Sequence, residues 1–90
     1  MVRVQIFVAD PDSPSPLAAT AVQRVRAAAG RFGEQVEVSV ISLADDAALQ
    51  LGIGMEPTVV VGELLVAAGQ APPAGHLVRA IEAALQREKP

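Results

Sequence analysis

The spacing of apolar residues changes period along the chain, and this change is the strongest constraint on its fold. Residues 2–9 alternate as Val2, Val4 and Ile6 and then become continuously apolar, which is typical of a strand with one end buried on both faces. From Leu17 onward, apolar residues recur every three or four positions, which is typical of one face of a helix. The predicted inner face of that helix comprises Leu17, Ala21, Val25, Ala28 and Phe32.

Both ends of this helix carry signals for starting and stopping. Ser15 has the side chain of an N-cap, and Pro16 suits the first helical position because that position needs no N–H. Gly30 and Gly33 favour the end of the helix. Alternation then returns over residues 36–41, which predicts a second strand.

The second half of the chain predicts a short helix, a hairpin and a closing helix. Ser42 is the expected cap of the short helix, and Gly52 closes it. Gly62-Glu63 separates two apolar runs, and a glycine first in a two-residue turn favours a type II′ hairpin. The last helix is expected over about 73–88. Its predicted inner face comprises Leu77, Ile81, Ala84 and Leu85.

The resulting order, β-α-β-α-β-β-α, predicts an α/β fold in one domain over residues 1–90. The crossover between the first two strands must be right-handed and leaves them parallel, whereas the hairpin adds an antiparallel pair. We therefore expect a four-stranded mixed sheet with helices on both faces. Loops at the carboxyl ends of parallel strands form the usual binding crevice, and residues 10–16 belong to such a loop.

Composition excludes several classes of partner and site. A net charge of −3 and only two aromatic residues disfavour nucleic-acid binding. Without cysteine, and with His76 as the one histidine, we expect no metal site and no cofactor. No apolar run approaches the ~18 residues that span a bilayer, so we expect no membrane association and a cytoplasmic location.

The segment ALQLGIGMEPTVVVGELLVAAG resembles the second half of thioredoxin and glutaredoxin domains. The similarity is closest to the short redox-active-disulfide type, and it implies a thioredoxin-like fold. In that family the proline before the hairpin is cis, so the resemblance implies a cis Glu56–Pro57 bond. The positions that carry the resemblance are Ala48, Leu51, Gly52, Ile53, Pro57, Thr58 and Gly69.

The same family places Cys-x-x-Cys where the first strand meets the first helix. Here two registers fit, Asp12-Ser13-Pro14-Ser15 or Ser13-Pro14-Ser15-Pro16, and neither contains sulfur. A serine hydroxyl forms no mixed disulfide, and its pKa lies far above the ~8.5 of a thiol. Thiol–disulfide exchange is therefore excluded for this sequence, and no catalytic residue is assigned.

The function that remains most favoured is a protein-binding or adaptor module on the former substrate face. Glu56 replaces the usual apolar or hydroxyl residue of the family, and with Asp10 and Asp12 it would form an acidic rim. Such a rim favours a basic or extended segment of a partner protein. The expected binding face comprises Asp12, Ser13, Ser15, Glu56, Pro57, Gly69 and Gln70.

Several alternatives stay open. Asp12, Ser13 and Ser15 could serve only as caps and turn residues. A glutathione-like thiol could bind them, with a serine assisting its chemistry, although the sequence places no Lys or Arg near the loop. FVADPDSPS and PTVV also resemble KaiB-like regulatory domains, which lack redox cysteines. Finally, a homodimer could form through a sheet edge or the apolar stretch 64–68.

Overall fold

The computed structural model describes residues 1–88, so the last two residues of the expected 1–90 domain lie outside it. The observed element order is the predicted one, β-α-β-α-β-β-α, with a short 3-10 turn before the second strand. The bounds are β1 Val2–Val8, α1 Pro16–Gly30, the 3-10 turn Gly33–Gln35, β2 Val36–Ser42, α2 Asp46–Leu51, β3 Thr58–Val61, β4 Leu64–Ala68 and α3 Ala74–Glu88.

The four strands form one mixed sheet in the order β2-β1-β3-β4. β1 and β2 are parallel, with Val4 opposite Val38. β3 is antiparallel to both of its neighbours, with Ile6 opposite Val59 and a bulge in β4 between the partners of Val59 and Val60. The prediction of a four-stranded mixed α/β sheet is therefore confirmed.

The main core lies between one face of the sheet and the two longest helices. Alternate residues of β1 point to this face, as a period of two requires. α1 and α3, each of fifteen residues, cover them. No helix within residues 1–88 is long and apolar enough to cross a bilayer. The buried residues of this core are Val2, Val4, Ile6, Val8, Ala18, Val25, Ala28, Val59, Val61, Leu77, Ala80 and Ile81.

A smaller core lies on the opposite face of the sheet. Phe7, fully buried, points away from its neighbours Ile6 and Val8 and packs with Ala48 of α2 and Val60 of β3. Helices therefore cover both faces, as predicted. The coverage is unequal, because α2 has only six residues.

The register of α1 differs from the prediction at its start. Leu17 was expected to face inward, but it is 46% exposed, whereas the next residue, Ala18, is fully buried. Leu17 lies four positions and Ala18 three positions before Ala21, and both spacings suit one face of a helix, so the spacing alone does not decide between them. A small side chain at Ala18 lets the first turn of α1 approach the sheet closely.

The cap of α2 also differs from the prediction. The N-cap is Asp45, whose Oδ1 accepts a hydrogen bond from the Ala47 N–H at 2.9 Å. Ser42 instead shapes the preceding turn, since its Oγ accepts from the Ala44 N–H at 3.0 Å. Gly52 ends the helix in the left-handed conformation, with φ 71°, as expected.

The hairpin and the other helix signals agree with the prediction. Gly62 has φ 61° and Glu63 has no positive φ, which matches the glycine-first turn of a two-residue hairpin. Ser15 is the N-cap of α1 and Pro16 its first residue. The inner face of α3 contains Leu77, which is fully buried.

Candidate binding face

The loops that carry the predicted site residues meet at one end of the sheet. β1 ends there, and β3 begins there because it is antiparallel to β1. β4 ends there because it is antiparallel to β3. We call the predicted set the loop face. It comprises Asp12, Ser13 and Ser15 after β1, Glu56 and Pro57 before β3, and Gly69 and Gln70 after β4.

Glu56 ends the pairing between β1 and β3. The register that places Phe7 opposite Thr58 would, two residues on, place Ala9 opposite Glu56. There, the Ala9 N–H donates to the Glu56 side-chain carboxylate rather than to the Glu56 carbonyl. Within residues 1–88, the Glu56 backbone N–H and C=O make no hydrogen bond. The carboxylate thus accepts the hydrogen bond that the Glu56 carbonyl would accept if the ladder continued. The backbone N–H and C=O of Glu56 are left unpaired within the described chain.

Pro57 and Gly69 extend the pairing of β3 with β4 by one step. The Gly69 N–H donates to the Pro57 carbonyl at 2.7 Å. The Glu56–Pro57 bond is cis, as the resemblance implied. Gly69 has φ 77°, and a Cβ there would lie 3.2 Å from the Met55 Sδ, so glycine meets both a conformational and a spatial requirement.

The loop after β1 is built by turn and cap hydrogen bonds. The Asp10 carbonyl accepts from the Ser13 N–H at 3.1 Å, and its Oδ1 accepts from the Asp12 N–H at 3.0 Å. Ser15 Oγ accepts from the Ala18 N–H at 3.2 Å. Turn and cap chemistry therefore accounts for Ser15 and for Asp10. In the described chain, the side chains of Asp12 and Ser13 are exposed and make no hydrogen bond.

Charge on the loop face is mainly negative, with one cation at its border. Asp10, Asp12 and Glu56 carry carboxylates on two of the loops. Arg24 of α1 approaches this border beyond Gln70. The Arg24 Nη1 donates to the Ala71 carbonyl at 3.0 Å, next to Gln70. The sequence did not predict this contact, because the two residues are 47 positions apart.

The acidic side chains of the loop face form no cluster of metal ligands. Across residues 1–88, no three His, Asp or Glu side chains lie close enough together to hold a metal ion. The chain also contains no cysteine. The polar side chains of the loop face are carboxylates, hydroxyls and the Gln70 amide.

An apolar groove adjoins the loop face and was not predicted. It runs over the sheet between the loop after α2 and the β3–β4 hairpin, and its volume is about 750 Å³. Met55 lines the groove and also lies against Gly69, so it separates the two surfaces. The available sequence signal was the pair of large apolar residues, Leu51 and Met55, in a segment too rich in glycine to be a buried helix.

Comparison with known proteins shows the fold only. No family model and no curated protein matches the chain. A solved structure described as "Structure of a malarial protein" is similar, with a TM-score of 0.71 and 14% identity. The match covers 92% of this chain and 96% of that one. This chain therefore has a mixed α/β fold, with a four-stranded mixed sheet and helices, that another protein shares over nearly its whole length.

Proposed function

We propose that this chain is a redox-inactive binding module of thioredoxin-like fold, which holds an extended segment of a partner protein against the loop face. The observation that carries the proposal is the free backbone of Glu56. An N–H and a C=O of one residue, unpaired at the end of a strand, can pair with an added extended segment. Next to it, the Gly69 N–H and the Pro57 carbonyl already pair with each other, and Pro57 is fully buried, so the added segment would meet the Glu56 backbone itself.

The thioredoxin-like part of the proposal is supported by sequence pattern and by topology. The resemblance in residues 48–69 includes the Pro-Thr pair that opens β3 and the glycine that follows β4. The element order and the strand order β2-β1-β3-β4 are compatible with it.

The proposed binding role is supported by the negative charge of the chain and by its lack of a thiol. Without a thiol, this end of the sheet has no group for disulfide exchange. The exposed carboxylates of Asp10 and Asp12 and a net charge of −3 favour a basic partner.

A peptide titration followed by amide NMR signals tests the proposal. The probe is an octapeptide of alternating lysine and valine, and the face variant combines Asp12→Lys with Gln70→Lys. Both residues are exposed and their side chains make no hydrogen bond within residues 1–88, so the fold should persist. Glu34→Lys with Gln35→Lys, also exposed, makes the same charge change at the 3-10 turn as a matched control.

We expect the wild type and the control to bind the peptide, with the largest shifts at the Glu56 and Gly69 amides. The face variant should bind about tenfold more weakly, because it replaces attraction with repulsion at the rim. Equal affinity in all three proteins would contradict the proposal. Shifts of the Ser13 and Ser15 amides with glutathione, but none with the peptide, would favour the thiol-binding alternative instead.

A further inference from the structure

The second face of the sheet is incompletely covered, and the exposed part is apolar. β1 has seven residues, which at ~3.3 Å each span about 23 Å. α2 has six residues, which at ~1.5 Å each span about 9 Å. The groove occupies the sheet surface that α2 leaves open. Sheet faces in packed domains are normally covered by another layer, so this one has room for an added element.

The lining of the groove includes three large apolar side chains that are more than half exposed. Leu51 is 57% exposed, Met55 54% and Leu65 57%. Val60, directly opposite Leu65 in the hairpin, forms the floor. A cluster of large exposed apolar side chains around one concavity marks an interaction site far more often than scattered ones do.

The charge around the groove indicates which kind of partner would bind there. Among the described residues that line it, Glu63 is the one charged side chain. The chain as a whole carries −3. A second copy seated here would bring another −3 and another Glu63 to the same concavity, which is repulsive. A partner with an apolar stripe flanked by lysine or arginine is complementary in both respects.

The shape of this edge favours a helix over an added strand. β4 is the edge strand beside the groove, and its bulge interrupts the regular ladder that a fifth strand would need. The exposed apolar side chains flank the open sheet face, with Leu51 and Met55 at and after the end of α2 and Leu65 on β4. A helix offers apolar side chains at steps of three and four, which suit a face.

We infer that this groove is a docking site for a basic amphipathic helix of a partner protein. It shares no residue with the loop face, so this inference does not rest on the proposed function. Leu51 and Met55 form one wall and Leu65 the other, and Glu63 receives a cation of the partner at the hairpin end.

Binding of two designed peptides tests the inference. One is an eighteen-residue helix with a leucine stripe and lysines elsewhere, and its twin carries glutamate in place of lysine. The groove variant combines Met55→Gln with Leu65→Gln. The control is Leu17→Gln, a leucine exposed to a similar degree on α1, which contacts the other face of the sheet. Glu63→Lys tests the charge, with Glu82→Lys on the exposed side of α3 as its control.

We expect the lysine peptide to bind the wild type and both controls, and to become helical on binding. The groove variant should bind it about tenfold more weakly or worse, since two apolar anchors lose their burial. Glu63→Lys should weaken it severalfold, and the glutamate peptide should bind poorly to every form. The loop-face variant Asp12→Lys/Gln70→Lys should keep the affinity of the wild type within a factor of about two.

Three results would overturn the inference. One is equal affinity of the groove variant and Leu17→Gln for the lysine peptide. Another is equal binding of the glutamate peptide, which would remove the charge argument. The third is a wild-type dimer in sedimentation that becomes a monomer in the groove variant, because a second copy would then be the occupant.

Discussion

The carboxylate of Glu56 accepts a hydrogen bond from the backbone N–H of Ala9, where strand pairing would have used the Glu56 carbonyl. One side chain therefore both anchors the loop after β1 and keeps its own backbone free.

Removing the Glu56 carboxylate should loosen the loop after β1. Glu56→Ala should lower the free energy of unfolding by about 1 kcal/mol, because a charged acceptor is lost at a site where water can replace part of it. Glu56→Gln keeps an acceptor and should cost less. Urea denaturation measures both, and the Ala9 amide should exchange with solvent faster in Glu56→Ala. Unchanged exchange would mean that the contact does not hold the loop.

The two serines of the loop should behave differently. Ser15→Ala removes the N-cap of α1 and should cost about 1 kcal/mol of unfolding free energy. Ser15→Asp restores a capping acceptor and should recover most of it. Ser13→Ala removes a hydroxyl without a hydrogen bond within residues 1–88 and should stay within about 0.5 kcal/mol of the wild type. An equal loss at both serines, measured by thermal or urea unfolding, would be inconsistent with this assignment.

Two leucines test the observed register of the helices. Leu77→Ala creates a cavity in the main core, because Leu77 is fully buried, and should cost about 2–5 kcal/mol. Leu17→Ala removes a side chain that is 46% exposed and should cost less than about 1 kcal/mol. The sequence-based expectation, with Leu17 inward, gives comparable losses instead. Chemical denaturation with a common slope distinguishes the two outcomes.

Two glycines should respond differently to substitution by alanine. Gly69→Ala combines a positive φ with a Cβ 3.2 Å from the Met55 Sδ, and should destabilise by about 1–2 kcal/mol. Gly54→Ala meets nothing within 4 Å and has no positive φ, so it should be neutral or stabilise by up to about 1 kcal/mol. Thermal melts of both variants give the comparison, and destabilisation of both would refute it.

The elements of this fold were predictable because their signals are local. The alternation in β1, the Ser15-Pro16 start of α1 and the glycine of the hairpin each act through neighbouring residues. The start of α1 was placed correctly, and Ala21, Val25 and Ala28 of its predicted inner face are buried. The first inward residue was not predicted correctly, because Leu17 and Ala18 fit the helical period equally. Only contact with the sheet decides between them.

The surroundings of the candidate site were harder to predict because their contacts are distant in sequence. The predicted loop residues do meet at one end of the sheet, which follows from the strand order. Glu56 reaches Ala9 and Arg24 reaches Ala71, each across 47 residues. Contacts between residues so far apart leave no periodic pattern in the sequence, so the sequence does not predict them. The groove was not predicted because the exposure of Leu51 and Met55 depends on how much of the sheet face α2 covers, which only tertiary packing decides.

The unequal coverage of the sheet also bears on how the molecule opens. Unfolding of α2 would expose little more than Ala48 and the small cluster around Phe7, whereas the layer of α1 and α3 shares the main core. Short helices with little buried surface are the first to exchange their amide protons. We therefore expect amides of α2 to exchange well before those of α1. Leu51 is the last residue of α2 and lies in one wall of the groove. We therefore expect local opening of α2 to change the width of the groove while the main core stays closed.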